Sequence, residues 1–235
     1  MTIELFREDG YLKHCTATVV SADSCGVCVD QTVFYPLGGG QPGDTGVLIR
    51  ETGQQLEILD CCKDRDSGAH LHIVKEGALM PELGERVTLT LNWQRRHRLM
   101  RMHSCMHMLC VAVPAPVTGG SISDGSGRLD FDLPHPPGKE DLEQRLNEII
   151  QENHPMTLSW ITDQEMQQQP ELIRTMSVLP PMGGGKVRLV KFGAADLQPC
   201  GGTHVANSAE IGAVRVQSIK NKGKQNRRIT IEFAE

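Results

Sequence analysis

The sequence predicts an α+β protein with two domains, a small β-barrel over residues 1–91 followed by an α+β domain over residues 92–235. Short β-branched segments separated by turn residues fill the first part of the chain, which is typical of a small barrel or sandwich. The hydrophobic period then changes near Asn92 to that of a helix. Beyond that point helices and strands occur in separate blocks, as in α+β proteins.

The predicted strands of the first domain are short and rich in β-branched residues. In the last of them Val87, Leu89 and Leu91 alternate with polar residues, so one face of the strand is apolar. The predicted strands cover residues 16–20, 26–30, 31–35, 46–50 and 87–91.

In the second domain a long helix is predicted from Trp93 to Val113. Apolar residues recur there at helical spacing, and Gly and Pro are absent until Pro114. A second helix is predicted from about Glu140 to Gln151. Strands are then predicted over residues 157–161, 187–192, 213–219 and 228–233.

Composition and charge narrow the possible classes of protein. Apolar runs all stay shorter than about 18 residues, so no membrane span is expected. The N-terminus lacks the apolar stretch of a secretory signal, so a cytoplasmic location is expected. The formal net charge of −5 argues against a large nucleic-acid surface, but two basic clusters are candidate phosphate contacts. The candidate contacts are Arg95, Arg96, Arg98 and Arg101 in one cluster and Lys220, Lys222, Lys224, Arg227 and Arg228 in the other.

The eight cysteines are expected to be thiols or metal ligands, because disulfides are rare in a reducing compartment. Cys25 and Cys28 have CxxC spacing, but no second such pair accompanies them, and ordinary packing is favoured. Packing is also favoured for a group that could bind a metal but is interrupted by turn residues. This group is Cys61, Cys62, His70 and His72.

Two short motifs supply a stronger set of metal donors. His103 and His107 lie one helical turn apart in HSCMH, so their imidazoles project from one face of the predicted helix. Cys200 and His204 lie in CGGTH, whose two glycines allow a tight turn. Three imidazoles and a thiolate match the preference of zinc. The sequence therefore predicts one Zn²⁺ per chain, bound by these four residues.

The same motifs carry a family resemblance. HSCMH and CGGTHV, followed by NSAEIG, resemble the editing domain of alanyl-tRNA synthetase and its free-standing relatives, the AlaX-type editing proteins. The segment FYPLGGGQPGDTG (34–46) resembles the glycine-rich motif of the family's barrel domain, which indicates the medium-length class. KNKGKQNRRITIEF (220–233) resembles the free-standing branch, whereas MSVLPPMGGGK (176–186) departs from the synthetase pattern.

This resemblance implies the editing fold of alanyl- and threonyl-tRNA synthetases. It also implies hydrolysis of the ester that joins a wrong amino acid to tRNA(Ala), chiefly serine, with glycine as a second candidate. Gln41 matches the family's editing-site glutamine, and Thr32 occupies the place of a threonine linked to recognition of the serine hydroxyl. The corresponding glycine-rich loop is Gly38, Gly39 and Gly40.

Several roles are open for the metal. Zinc could activate water, polarise the ester carbonyl or hold the aminoacyl group. Four protein ligands favour a closed site, in which zinc orders the pocket and positions the substrate. Three other functions also stay open: a zinc hydrolase of a small ester or amide without RNA, a tRNA- or synthetase-binding module without turnover, and editing of another tRNA. The GGGQ motif favours the alanine branch.

Overall fold

The computed structural model of the chain describes residues 2–174 and 185–234. Most of the segment that departs from the synthetase pattern, residues 176–186, lies outside the described residues. The chain is mixed α/β and divides into two compact units, Met1–His97 and Arg98–Glu235. The domain boundary expected after residue 91 stays a prediction.

The first unit is built around a closed six-stranded barrel, which confirms the small β-barrel expected from the sequence. The barrel closes in the order β2–β3–β7–β6–β5–β8 with antiparallel pairing throughout, and β1 and β4 form a separate parallel pair. The strands are β1 (Ile3–Glu4), β2 (His14–Asp23), β3 (Gly26–Val29), β4 (Gln31–Thr32), β5 (Gly46–Arg50), β6 (Gln55–Lys63), β7 (His70–Val74) and β8 (Arg86–Leu91).

Alternation along β8 determines which side chains enter the barrel. Val87, Leu89 and Leu91 are buried in the core, as their spacing predicts. The same apolar cluster includes buried residues of β2, β3, β5 and β6, and Val74 of β7 packs against it. Strands β6 and β7 were not expected from the sequence, because charged residues and histidines interrupt their apolar pattern.

The predicted strand over residues 31–35 is wrong beyond Thr32, where β4 ends. The Phe34 amide N–H donates to the Thr32 hydroxyl over 3.0 Å, and the Tyr35 N–H donates to the Asp44 carboxylate over 2.6 Å. These two backbone N–H groups therefore donate to side-chain oxygens and not to the carbonyls of a neighbouring strand.

Helix α1 (Trp93–Ala112) begins in the first unit and continues into the second, and its bounds agree with the predicted helix to within one residue. The second unit also contains α2 (Lys139–Gln151) and the short α3 (Asp163–Gln167). None of the helices in the described part of the chain has the length and apolar character that a membrane span requires.

Two antiparallel sheets complete the second unit. One has the order β14–β15–β10–β9 and the other β11–β12–β13. The hairpin formed by β9 and β10 was not expected, because its first strand contains two glycines and two serines. The strands are β9 (Val117–Ser123), β10 (Ser126–Asp132), β11 (Met156–Thr162), β12 (Lys186–Phe192), β13 (Asp196–Pro199), β14 (Val214–Asn221) and β15 (Asn226–Phe233).

Helix α2 covers the edge strand β14. Its apolar residues, including Leu146 and Ile149, are buried. The Asn147 side chain both donates to the Val214 carbonyl, over 2.8 Å, and accepts from the Val214 N–H, over 3.0 Å. The Glu143 carboxylate accepts a hydrogen bond from the Val216 N–H, which faces the helix from the same edge of the strand. The helix thus satisfies backbone groups that an edge strand leaves unpaired.

Candidate metal centre

Two distant parts of the chain bring four metal donors together. His103 and His107 lie on α1, and Cys200 and His204 lie in the loop that follows β13. Their ligand atoms all lie within 4.8 Å of one another. The three histidines are buried, and Cys200 is half-buried. The structure therefore assembles the ligand set that the sequence predicts.

The separations between donor atoms test whether this set fits zinc. The Cys200 Sγ atom lies 3.5 Å from His103 Nε2 and 3.2 Å from His204 Nε2. Two ligands of one tetrahedral zinc, with sulfur at about 2.3 Å and nitrogen at about 2.0 Å from the ion, lie about 3.5 Å apart. Donor type and spacing both fit Zn²⁺.

Hydrogen bonds orient two of the imidazoles. His107 donates from Nδ1 to Asp196 Oδ2 over 2.8 Å, so its Nε2 is left for the metal. His204 Nδ1 lies 3.2 Å from Ser104 Oγ, which also accepts the Val205 N–H. In both rings the nitrogen remote from the centre has a partner, which is the usual arrangement for histidine ligands.

The loop that carries Cys200 is held by a buried arginine on β12. Arg188 donates from Nη1 to the Cys200 carbonyl over 2.9 Å and to the Gly202 carbonyl over 2.8 Å. The Gly202 N–H points at Cys200 Sγ, 3.4 Å away. These contacts close the turn predicted for CGGTH and keep Cys200 and His204 on one side of it.

The electrostatics of the centre favour the metal-binding form of the cysteine. Burial alone would raise the pKa of the Cys200 thiol, but His103 and His204 outweigh it and hold that pKa well below its usual range. Burial likewise lowers the pKa of His204 well below its usual range. Burial would also lower the pKa of His107, but hydrogen bonds to Asp196 and Cys200 outweigh it and raise that pKa to about 9. A thiolate is therefore favoured at Cys200, and the thiolate is the form that binds metals.

The glycine-rich motif of the first unit forms a tight two-residue turn. Gly38 and Gln41 exchange backbone hydrogen bonds of 3.1 and 2.9 Å across it. The central residues have φ of 54° at Gly39 and 81° at Gly40, as a type I′ turn requires. The Tyr35 hydroxyl donates to the Gly38 carbonyl over 2.8 Å. Glycine is needed at the two central positions because other residues rarely adopt this backbone conformation.

A buried ion pair that the sequence did not predict supports this motif. Arg96 is fully buried and pairs with Asp44 through both its Nε and Nη2 atoms. Arg96 also donates to the Val33 carbonyl over 2.7 Å. The expectation that Arg96 contacts phosphate is wrong, because its side chain is fully buried and paired with a carboxylate 52 positions earlier, which the sequence pattern does not show.

Thr32 has its hydroxyl engaged inside the first unit. The Thr32 Oγ1 atom lies 2.8 Å from His72 Nε2, and His72 Nδ1 lies 3.0 Å from the Val27 carbonyl. A carbonyl can only accept, so His72 Nδ1 carries the proton and Nε2 accepts the Thr32 hydroxyl. Burial lowers the pKa of His72 to about 3, so the ring stays neutral. With the Phe34 N–H also bound, Thr32 has one lone pair left. Gln41 is fully buried as well.

A second group of donors in the first unit has a different geometry. Cys61, His70 and His72 are buried and lie close together. Cys61 Sγ lies 2.8 Å from His70 Nε2, which is shorter than the separation of about 3.5 Å between two ligands of one zinc. Both nitrogens of His72 have hydrogen-bond partners, and burial raises the pKa of Cys61 well above its usual range. This geometry favours a hydrogen-bonded packing group, the interpretation favoured by the sequence.

The basic cluster on β14 and β15 divides into paired arginines and exposed lysines. Arg228 forms two hydrogen bonds of 2.7 Å with Asp130. Arg227 is buried and donates to the carbonyls of Gly223 and Pro134, and these hydrogen bonds hold the end of the β14–β15 hairpin. The exposed members are Lys220, Lys222 and Lys224.

The candidate arginines on α1 also have protein partners. Arg95 donates to a backbone carbonyl of the glycine-rich motif over 2.7 Å. Arg98 pairs with Asp124 over 2.6 Å, and Arg101 donates to the Ile211 carbonyl over 2.9 Å. All three are partly exposed, so contact with phosphate at these positions stays a prediction.

Comparison with known proteins identifies the relatives of this chain. Residues 5–95 match the family model of class II (A) tRNA synthetases, and residues 187–230 match that of the threonyl and alanyl tRNA synthetase second additional domain. With the barrel and the His/Cys cluster, these matches indicate a protein related to parts of class II tRNA synthetases. The alanine–tRNA ligase of Sulfurisphaera tokodaii is 32% identical over 228 residues, which are 93% of this chain and 25% of the ligase.

Free-standing relatives match over almost their whole length. The alanyl-tRNA editing protein AlaX-M of Methanosarcina acetivorans is 34% identical over 239 residues, covering 97% of this chain and 98% of the relative. The AlaX-M protein of Saccharolobus solfataricus is 31% identical over 233 residues, with the same coverage. The chain therefore belongs to the AlaX-M family of alanyl-tRNA editing proteins.

Proposed function

We propose that the protein hydrolyses the aminoacyl ester of mischarged tRNA(Ala), chiefly Ser-tRNA(Ala), with Gly-tRNA(Ala) as a second substrate. The observation that supports this most strongly is the convergence of His103, His107, Cys200 and His204, with sulfur–nitrogen separations of 3.2 and 3.5 Å, in a member of the AlaX-M family. Such an enzyme would act in the cytoplasm beside the synthetases and protect the accuracy of translation.

Selectivity for serine has a simple physical basis. A synthetic site shaped for alanine rejects a side chain with one added hydroxyl only about a hundredfold. A site built to hydrogen-bond that hydroxyl rejects the analogue lacking it by about 10⁴–10⁵, because buried polar groups stay unpaired. Thr32 and Gln41 are the residues proposed for this task. The Thr32 hydroxyl proton is already donated to His72, so Thr32 would accept a hydrogen bond from serine.

The four ligands define what this chain would do for a bound metal. A bound zinc would order the pocket and help to position the ester. The tetrahedral shell would be filled by His103, His107, Cys200 and His204. A filled shell favours a role in positioning the substrate rather than in activating a water at an open coordination position. Cys200 is the most exposed of the four, so it is the ligand that a substrate would meet first.

The test of this function is hydrolysis of aminoacyl-tRNA(Ala) by the purified protein. An RNA-independent zinc hydrolase would cleave serine esters whether or not they are joined to tRNA. A binding module would bind tRNA without releasing the amino acid. The proposed editing enzyme releases serine from tRNA(Ala) and leaves alanine in place.

The exposed lysines at the tip of the hairpin are proposed to contact the tRNA backbone. We expect the double replacement Lys222→Gln and Lys224→Gln to weaken tRNA binding and to flatten its salt dependence. Each lost phosphate contact reduces the slope of log K against log salt by about 1, because fewer counterions are released. Titrations of tRNA at several salt concentrations measure both quantities.

Arg228→Gln is the matched control for the two lysine replacements. Arg228 is already paired with Asp130, so its loss should lower stability more than it changes the salt slope. If the lysine replacements leave both the tRNA affinity and its salt slope unchanged, the lysines of the hairpin do not contact the tRNA. The phosphate contacts would then lie elsewhere, with Arg95, Arg98 and Arg101 as the next candidates.

A further inference from the structure

We propose that Asp196 is a positioning residue of the metal centre, an inference that rests on the proposed zinc site and not on the identity of the substrate. Its task is to hold His107 in the tautomer and orientation in which Nε2 faces the ion. Asp196 is not a member of the predicted ligand set, and it lies on a strand rather than on the helix that carries His107.

The contact between the two side chains is direct and buried. His107 Nδ1 donates to Asp196 Oδ2 over 2.8 Å, and the Asp196 side chain is 0% exposed. A carboxylate bound to the outer nitrogen of a histidine ligand fixes the ring and increases its basicity. A buried carboxylate without a cationic or metal-linked partner would be costly, and a neutral residue of the same shape would suffice for packing.

A second set of contacts holds the carboxylate itself. Gln198 Nε2 donates to the same Oδ2 atom over 2.9 Å, and Gln198 is buried. Arg174 Nη2 lies 3.7 Å from Oδ1, which has no hydrogen-bond partner among the described residues. The Asp196 carboxylate is thus tied at one oxygen by an amide and an imidazole and faces a cation at the other.

Strand geometry explains why these residues act together. In β13, Asp196 pairs with Phe192 and Gln198 pairs with Val190 of the neighbouring strand. Side chains at alternate positions of a strand share one face. Cys200 follows Gln198 at the next alternate position, and its N–H still donates to the Arg188 carbonyl over 3.0 Å. One face of this short segment therefore presents a carboxylate, an amide and a thiolate toward the centre.

The test is the zinc affinity of Asp196→Asn, which keeps the shape of the side chain but removes its charge. We expect affinity to fall about 10- to 100-fold, as for other outer partners of histidine ligands. Competition with a chromophoric zinc chelator at fixed pH measures this on the folded protein. Replacement of zinc by Co²⁺ supplies a second readout, because the visible bands of the ion should shift when the His107 ring is no longer fixed.

Asp130→Asn is the matched control. Asp130 is also a buried carboxylate of the second unit, but its partners are Arg228 and Arg128. Its replacement should leave zinc affinity and the Co²⁺ spectrum unchanged. In a His107→Ala background, Asp196→Asn should cause no further loss of affinity, because its effect passes through that ring.

Unchanged zinc affinity and an unchanged Co²⁺ spectrum in folded Asp196→Asn would overturn the inference, even if its melting temperature fell. If that variant does not fold, Gln198→Ala serves as a second test, because it removes the other hydrogen bond to Asp196 Oδ2. Zinc affinity should then fall by about 10-fold, the lower end of the expected range. Unchanged zinc affinity would contradict the proposal. Wild-type protein that takes up no zinc would overturn this inference and the metal centre together. Weakened zinc binding in Asp196→Asn without any hydrolysis of Ser-tRNA(Ala) by wild-type protein would support the inference and remove the proposed function.

Discussion

Replacing Cys200 with Ala is expected to abolish stoichiometric zinc binding, with one zinc per chain in the wild-type protein and almost none in the variant. The change removes one donor of four and the only anionic one. It also removes the charge that His103 and His204 stabilise. Metal analysis after gel filtration measures the stoichiometry, and hydrolysis of Ser-tRNA(Ala) should fall with it.

The matched control is Cys105→Ala, on the same helix as His103 and His107. Burial raises the pKa of Cys105 to about 12, so it stays a neutral thiol and is not one of the clustered donors. Its removal should cost packing stability but leave zinc in place. Full zinc content in Cys200→Ala would take that residue out of the ligand set.

Replacing Thr32 with Val is expected to slow hydrolysis of Ser-tRNA(Ala) selectively, by about 1–3 kcal/mol of transition-state stabilisation. Valine keeps the shape of threonine and removes the proposed acceptor for the serine hydroxyl. Cleavage of Ala-tRNA(Ala) and zinc content should barely change. Rates on both esters, measured with the same enzyme preparation, give the selectivity.

This replacement also leaves His72 Nε2 without the hydroxyl that it binds at 2.8 Å, so some loss of stability is expected with it. Thr32→Ser restores the hydroxyl without the methyl group and should recover the preference for the serine ester. An equal loss on both esters in Thr32→Val would show that Thr32 only supports the barrel. The assignment of specificity to Thr32 would then be wrong.

Much of the fold could be predicted because its strongest signals are local. The spacing of Leu99, Met102, Met106 and Leu109 predicts α1, and alternation predicts β8. Strands β6 and β7 could not be predicted in this way, since buried histidines and charged residues break their apolar pattern. His72 is tolerated inside the barrel because it forms two hydrogen bonds with residues distant in sequence, Val27 and Thr32, and such partners leave no periodic signal.

The candidate site shows the same division. The His103–His107 and Cys200–His204 pairs were predictable because each has a ligand spacing of its own. Asp196 was missed, although the alternation Asp–x–Gln–x–Cys before the CGGTH turn could have indicated a shared strand face.

The charge clusters show a second limit of sequence reasoning. In sequence, Arg227 and Arg228 cannot be distinguished from the nearby lysines as candidate phosphate contacts. In the structure the Arg227 guanidinium donates to backbone carbonyls and that of Arg228 pairs with Asp130. Which charges are free depends on pairing across the sheet, as between Asp130 and Arg228. Sequence alone does not show that pairing.

The central claim is that this chain removes a wrong amino acid from tRNA(Ala), and one measurement tests it most directly. Wild-type protein with stoichiometric zinc is mixed with tRNA(Ala) charged with labelled serine or with labelled alanine, and release of the label is followed over time. Rapid release of serine with alanine largely retained is the predicted result. Equal release of both amino acids, or release of neither, would contradict the account.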